Sequence, residues 1–323
     1  MKALVTGGAG YLGAVLVPRL LDRGHSVRVL DSLMYGGSSL LSVWSDPNFE
    51  FVNGDIRDVD VMKRAVDGVD AVVHLAAIVG DPACARDPEL ARNVNRDAAL
   101  ATLDAAEAAG VKRFVFASTC SNYGRMADPS NYVDETAELK PVSLYAETKV
   151  AVEEAMLGPR NGSGGVSVTA LRFATLYGAS PRMRFDLTVN EFTMELLTKK
   201  DLVVFGEQFW RPYIHTTDAA RAIEAVLDAP VEKVRGNVFN VGSTDQNFQK
   251  QQLVEKILPL AKGASVRYVH RDEDPRDYRV SFAKIESEIG FRTTLTVDDG
   301  IREVATMVGG GLIRDLDDPK YRN

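Results

Sequence analysis

Cysteine is almost missing from this chain: Cys84 and Cys120 are the only two among 323 residues. They allow at most one disulfide and show no metal-ligand spacing, which argues against a secreted disulfide scaffold or a thiolate metal centre and for a reducing cytoplasm. Histidine is scarce too; its four copies (His25, His74, His215 and His270) are scattered, and no metal is expected. Positive charge is not in excess. The net charge of -7 argues against a nucleic-acid or membrane-surface binder, since either needs a concentrated basic face. No run approaches the ~18 uninterrupted apolar residues of a membrane span. Met1–Val17 begins like a signal peptide, but glycines interrupt the region that should be continuously apolar.

What is present is an ordinary globular composition, 45% hydrophobic and 26% charged. A chain of this length buries roughly three quarters of its unfolded surface, as one large domain or two intimately packed ones. The expected partner is a small molecule.

The first half alternates short apolar runs with helical patterns, the signature of parallel βαβ units. Expected strands are Lys2–Thr6, Ser26–Leu30, Glu50–Asn53, Ala71–His74, Arg113–Ala117 and Val166–Arg172. Expected helices are Tyr11–Arg23 (with Pro18 inside it), Val59–Val66, Asn93–Ala109 and Tyr145–Leu157. A flexible connection at Asn161–Gly165 contains the glycosylation sequon Asn161-Gly-Ser163, without consequence in a cytoplasmic protein. After Arg172 the pattern loosens into helices Val189–Lys199, Phe248–Ala261 and Val297–Met307 between strands Leu202–Phe205, Val238–Val241 and Val266–Val269. The fold class expected is α/β: a Rossmann-type doubly wound parallel sheet over 1–174 and 210–243, with a smaller C-terminal substrate-binding lobe over 175–209 and 244–323.

Several motifs sit at expected strand ends, where α/β sheets bind ligands. Gly7, Gly10 and Gly13, with Tyr11 and Leu12 between them, join the first strand to the first helix. Glycines there permit a tight turn and let N–H groups at a helix start approach a pyrophosphate. Asp31 ends the second strand at the spacing of a carboxylate that accepts from adenosine ribose hydroxyls. No arginine follows it, so NAD is favoured over NADP. Asp55 and Ile56 are placed to hold the adenine edge, although Asp55 also reads as an ordinary helix cap. Leu75, Ala76 and Ala77 leave room for a cofactor across the fourth strand's end, and His74 reads as packed rather than catalytic. Thr119 ends the fifth strand with a hydroxyl for a substrate oxygen, while Cys120 reads as a small buried residue. Tyr145 and Lys149 lie one helical turn apart on one face, so the ammonium can lower the phenol's pKa while reaching the cofactor.

Together these motifs resemble the extended short-chain dehydrogenase/reductase family, in its nucleotide-sugar epimerase/dehydratase branch. The resemblance implies a homodimer packed through a four-helix bundle, NAD in the larger lobe and a nucleoside-diphosphate sugar in the cleft. It makes Thr119, Tyr145 and Lys149 the catalytic set, and Asn95 an asparagine that shapes the active site through backbone contacts beside the cofactor. Arg211 resembles an arginine that grips the diphosphate, and Arg279, or else Arg276, a second one. Thr175 and Asn190 fall among substrate-contacting positions.

Two departures bear on the reaction. Dehydratases of the branch carry an Asp-Glu pair directly after the hydroxyl residue, whereas here Cys120 and Ser121 stand there. Thr175 replaces the usual asparagine, and the unusual Pro181–Asp186 segment is positioned to rebuild that contact. The expected activity is therefore an NAD-dependent epimerase, acting at C4 through a transient 4-keto sugar. A net 4-ketoreductase on the same triad, a dehydratase and a non-catalytic NAD-binding protein are the alternatives. Tyr145 as proton acceptor near pH 7 requires its pKa to fall from about 10 to about 7, or roughly 4 kcal/mol of preferential phenolate stabilisation.

Overall fold

The computed structural model describes residues 1–126, 128, 131–158, 165–272 and 276–323. Residues 161–164 of the expected Gly-rich connection, with the sequon, lie outside the described residues. The described strands are β1 (Lys2–Thr6), β2 (Ser26–Asp31), β3 (Phe49–Asn53), β4 (Ala71–His74), β5 (Arg113–Thr119) and β6 (Ser167–Phe173). They continue with β7 (Thr175–Tyr177), β8 (Asp201–Phe205), β9 (Trp210–His215), β10 (Asn237–Val241), β11 (Asn247–Gln249) and β12 (Ser265–Val269).

Seven strands form one sheet in the order β10, β6, β5, β4, β1, β2, β3, every pairing parallel. Strands with both faces covered should be apolar throughout, and β4 and β6 are buried at every residue. Alternation divides their side chains between two cores. Ala3, Val5, Val27, Val29 and Val73 face the helices Gly13–Asp22 and Thr216–Asp228. Leu4, Leu30, Val72, Phe114 and Phe116 face Val59–Val66, Ala99–Ala108 and Leu144–Leu157. Connections leave β1 toward β2 on one side and reach β4 on the other. This topological switch point opens a crevice at the carboxyl ends of the strands.

The later segments depart from expectation. Only β10 of 210–243 joins the main sheet; β9 pairs instead with β7 and β11 in a three-stranded sheet, and β8 pairs with β12. The helix expected over Phe248–Ala261 is correspondingly shortened to Lys250–Ile257, because Asn247–Gln249 is drawn into the pairing with β9. The helix Thr216–Asp228 has no counterpart in the sequence reading. Its buried face is rich in alanine (Ala219, Ala220, Ala222), too weakly apolar to stand out as a period. Pro18 does lie within the first helix, Gly13–Asp22.

One buried network positions the helix that carries Tyr145 and Lys149. Glu153 is one turn beyond Lys149, and its carboxylate accepts from Arg172 on β6 through Nε at 2.9 Å and Nη2 at 2.7 Å. The side chains are 6% (Arg172) and 3% (Glu153) exposed. Asn122 donates to the same carboxylate at 2.8 Å, and the Ser118 hydroxyl also bonds to it. The helix is thereby pinned to the ends of β5 and β6. Glu153→Ala leaves the Arg172 charge buried without its counter-ion and should cost about 3–5 kcal/mol in urea unfolding; a loss below about 1 kcal/mol would show that the pair does not fix the helix.

Candidate active site

The cleft at the carboxyl edge has a volume of about 600 Å³, within the usual range for a ligand site. Residues just past β1, β2, β3, β4, β5 and β6 form one wall, and the 175–188 and 276–278 segments face them.

Gly7, Gly10, Tyr11, Leu12 and Gly13 all line the cleft. Gly7 has φ +72°, and a Cβ there would lie 2.8 Å from the Ala76 amide nitrogen. A Cβ on Gly13 would lie 2.5 Å from the Gly7 carbonyl oxygen. Only glycine lets the turn lie this close to β4. The helix starts at Gly13 rather than Tyr11, with no side-chain cap and no acidic residue in its first turn. The Ala14 and Val15 amides already donate to the Gly10 and Leu12 carbonyls, so what the helix start presents to an anion such as a pyrophosphate is chiefly its positive dipole end. Tyr11 spends its hydroxyl elsewhere: it donates to the Gly178 carbonyl at 2.5 Å and accepts from Asn190.

At the end of the cleft beside β2, Asp31 accepts from the amides of Ala9 at 2.9 Å and Leu33 at 2.8 Å, and burial pushes its pKa up. Asp55 and Ile56 line the cleft. The capping alternative for Asp55 fails, because Asp58 caps the helix Val59–Val66; the Asp55 carboxylate instead pairs with Arg57, at 2.7 Å and 3.0 Å. Leu75, Ala76 and Ala77 lie along the cleft. His74 lies behind them, stacked against Phe114 and Phe116, and burial lowers its pKa to about 3. It stays neutral and packed. Asn95 is not a cleft residue. Its amide is used on both backbone groups of Ile78, accepting at 2.7 Å and donating at 2.9 Å, from a wide π-helical turn over Asn93–Ala98. It shapes the wall from behind through backbone contacts, as the resemblance implies, and does not itself line the cofactor side of the cleft.

Thr119, Tyr145 and Lys149 face the cleft together. Thr119 ends β5, and its Oγ1 accepts from the Ser121 amide at 3.1 Å. Ser143 caps the helix Leu144–Leu157, which sets Tyr145 in its first turn. Lys149 is 2% exposed, donates to the Ala117 carbonyl at 2.7 Å and lies 4.6 Å from the Phe116 ring centre. Burial lowers its pKa to about 8. The Tyr145 pKa is pushed up by burial, with Arg184 the first charge opposing the rise. The expectation that Lys149 makes this phenol acidic is therefore not met by the protein's groups on their own.

On the facing side, Arg211 lines the cleft, 8% exposed, with its guanidinium 5.4 Å from the Tyr278 ring centre. Of the two C-terminal arginines, Arg276 is the one in the cleft wall, paired with Asp81 at 2.6 Å. Arg279 lies outside, stacked over Tyr132 and Trp210 at 4.1 Å and 4.5 Å. Alternation along this short extended stretch turns their side chains differently. Thr175 faces the cleft. Asn190 does not: it is fully buried, accepts from the Gly178 amide and donates to the Arg184 carbonyl, so it supports the wall. The Pro181–Asp186 segment supplies Arg182, Arg184 and Asp186 to the cleft. Arg184 and Asp186 form a two-bond pair at 2.6 Å and 3.0 Å.

These features match known proteins. Residues 3–242 fit the model of the NAD dependent epimerase/dehydratase family. The chain belongs to that family. It is 32% identical over 320 residues to a dTDP-glucose 4,6-dehydratase of Streptomyces niveus, covering 94% of this chain and 91% of that one. A UDP-glucose 4-epimerase of Corynebacterium glutamicum is 29% identical, covering 90% of each. The solved UDP-glucose 4-epimerase of Thermus thermophilus in complex with NAD superposes with a TM-score of 0.83, at 27% identity, over 96% of this chain and 99% of that one. The protein is thus an enzyme of the nucleotide-sugar epimerase and dehydratase group, with NAD as cofactor. The glycine cradle, which any Cβ would fill, fits that cofactor. Gly13→Ala forces backbone apart at the turn and should weaken NAD binding at least tenfold, read by fluorescence titration; unchanged affinity would remove the cradle from the cofactor site.

Proposed function

We propose that this member of the family is a nucleotide-sugar epimerase acting at C4, with NAD retained through the cycle. The observation that carries this reading is the chemistry beside Thr119. Cys120 is buried, donates to the Arg172 carbonyl at 3.1 Å, and burial holds its pKa well above a thiol's usual value. Ser121 lines the cleft but is a hydroxyl. The carboxylates in the wall are committed: Asp55 to Arg57, Asp81 to Arg276, Asp186 to Arg184, and Asp31 to two amides. Among the described residues lining the cleft there is neither glutamate nor histidine. Dehydration needs an acid for the leaving hydroxyl and a base for the carbon proton. Epimerisation at C4 needs neither, only one group that takes and returns the hydroxyl proton.

Bound NAD supplies the reversible oxidation at the sugar carbon. Tyr145 takes the proton of the 4-hydroxyl and returns it after the keto sugar has turned over. Thr119 holds the same oxygen. Lys149, held by Ala117 and Phe116 at the base of the cleft, is the residue for the nicotinamide ribose. Arg211 and Arg276 anchor the diphosphate while the sugar turns, a task suited to planar, multiply donating guanidinium groups; Arg276 keeps its Nη1 bond to Asp81 and serves through its other donors. The 175–209 and 244–323 segments form the nucleotide-sugar lobe. A cytoplasmic homodimer joined through a four-helix bundle completes the reading. Among the described residues no helix is long and apolar enough to cross a membrane.

Tyr145→Phe should lower kcat by roughly 10²–10⁴-fold while NAD affinity stays close to wild type; near-normal turnover would remove Tyr145 from the chemistry. Turnover of the matching nucleotide sugar should need no added cofactor and change no net amount of it. Consumption of one equivalent of dinucleotide per product would identify a ketoreductase instead.

A further inference from the structure

The Gly178–Asp186 segment reaches back from the small lobe onto the glycine-rich turn. The Tyr11 hydroxyl donates to the Gly178 carbonyl at 2.5 Å, and Ser180 Oγ donates to the Tyr11 carbonyl at 2.7 Å. The Asn190 amide donates to the Arg184 carbonyl at 2.9 Å. Held at both ends, the segment delivers Arg182 to the adenosine end of the cleft. Its guanidinium lies 4.0 Å from the ring centre of Tyr35, a residue of the loop that follows Asp31. Both side chains line the cleft with Asp31.

Arg182 is only 6% exposed. Its Nη2 donates to the Asn323 side-chain oxygen at 2.7 Å and, more weakly, to the Arg322 carbonyl at 3.4 Å. Its Nε is buried and has no hydrogen-bond partner among the described residues. A buried donor on a permanent cation is costly to leave unpaired, so the arrangement favours an acceptor toward which the guanidinium can turn from the cleft wall. The location limits the candidates to an oxygen-rich ligand lying beside Asp31. Arginine also stacks on aromatic rings through its flat face while donating from its edge, so one residue can do both tasks.

We propose that Arg182 is a cofactor-binding residue: its guanidinium donates to the adenosine half of the dinucleotide, and its stack on Tyr35 clasps the small lobe to the Rossmann loop across that half. The inference rests on NAD occupying this cleft and deepens the epimerase reading, since such an enzyme must hold its dinucleotide from one turnover to the next. It also alters the reading of Asp31. The arginine near that carboxylate comes from about 150 residues downstream rather than from the following loop, and the carboxylate adds to its charge balance.

The test is NAD release without any sugar nucleotide, followed by stopped-flow fluorescence and by the NAD retained through gel filtration. Arg182→Gln should speed release and raise the Kd by about tenfold or more. Arg182→Lys, which keeps the charge but loses the flat fork, should recover only part of that. Tyr35→Leu should speed release by about threefold through loss of the stack. Arg182→Gln that is folded by circular dichroism and releases NAD at the wild-type rate would overturn the proposal. If that variant does not fold, unchanged release from Tyr35→Leu would overturn it equally. With no sugar present, failure of the epimerase reading leaves these rates untouched, so the two failures are distinguishable.

Discussion

The proposed chemistry depends on one constraint: a phenol and an ammonium that it needs as charges are set in a cleft wall where burial disfavours both charges. Lys149 is driven toward its neutral form, near a pKa of about 8, and Tyr145 toward its neutral phenol. Neither is the arrangement of a base ready at neutral pH. The missing stabilisation exceeds the roughly 4 kcal/mol that would bring a free phenol to ionise near pH 7, because burial adds to it, and it must arrive with the ligands. A positively charged nicotinamide ring is one source, and Lys149 drawn from Ala117 toward the cofactor is the other. On this account the enzyme acquires its base only when its cofactor is in place, which protects a reactive group from idle chemistry.

The frame around that pair follows from packing. Glu153 and Arg172 fix the helix from beneath, while the glycine turn and the end of β4 approach one another so closely that side chains are excluded. The opposite wall carries several arginines, each already in an ion pair, a stack or a backbone bond, so a nucleotide sugar would bind through their remaining donors. Cys120 turned toward the Arg172 carbonyl removes the acidic function that dehydration would require at that point.

Much of this was readable in the sequence. The run of buried apolar strands announced a parallel sheet, and the glycines, Asp31, Thr119, Tyr145 and Lys149 lay at strand ends or on a helix start where local rules place ligands. What escaped depended on contacts distant along the chain. Asn190 looks like a polar site residue, yet its amide is consumed by Gly178 and Arg184. Arg276 and Arg279 are indistinguishable by composition, and only the path of the chain puts the first in the cleft and the second between Tyr132 and Trp210. The Pro181–Asp186 run stood out as unusual but pointed to the substrate, because Tyr35, on which Arg182 stacks, lies about 150 residues away along the chain.

The most direct measurement is the titration of Tyr145 itself, as the difference in tyrosinate absorbance between the wild type and Tyr145→Phe, with and without bound NAD. Burial raises the folded pKa, so in the cofactor-free protein the phenol should stay protonated past the free-tyrosine value of about 10, and with NAD bound it should ionise near pH 7. A phenol that still titrates above about 10 in the NAD complex, while the sugar reaction proceeds at neutral pH, would contradict the account.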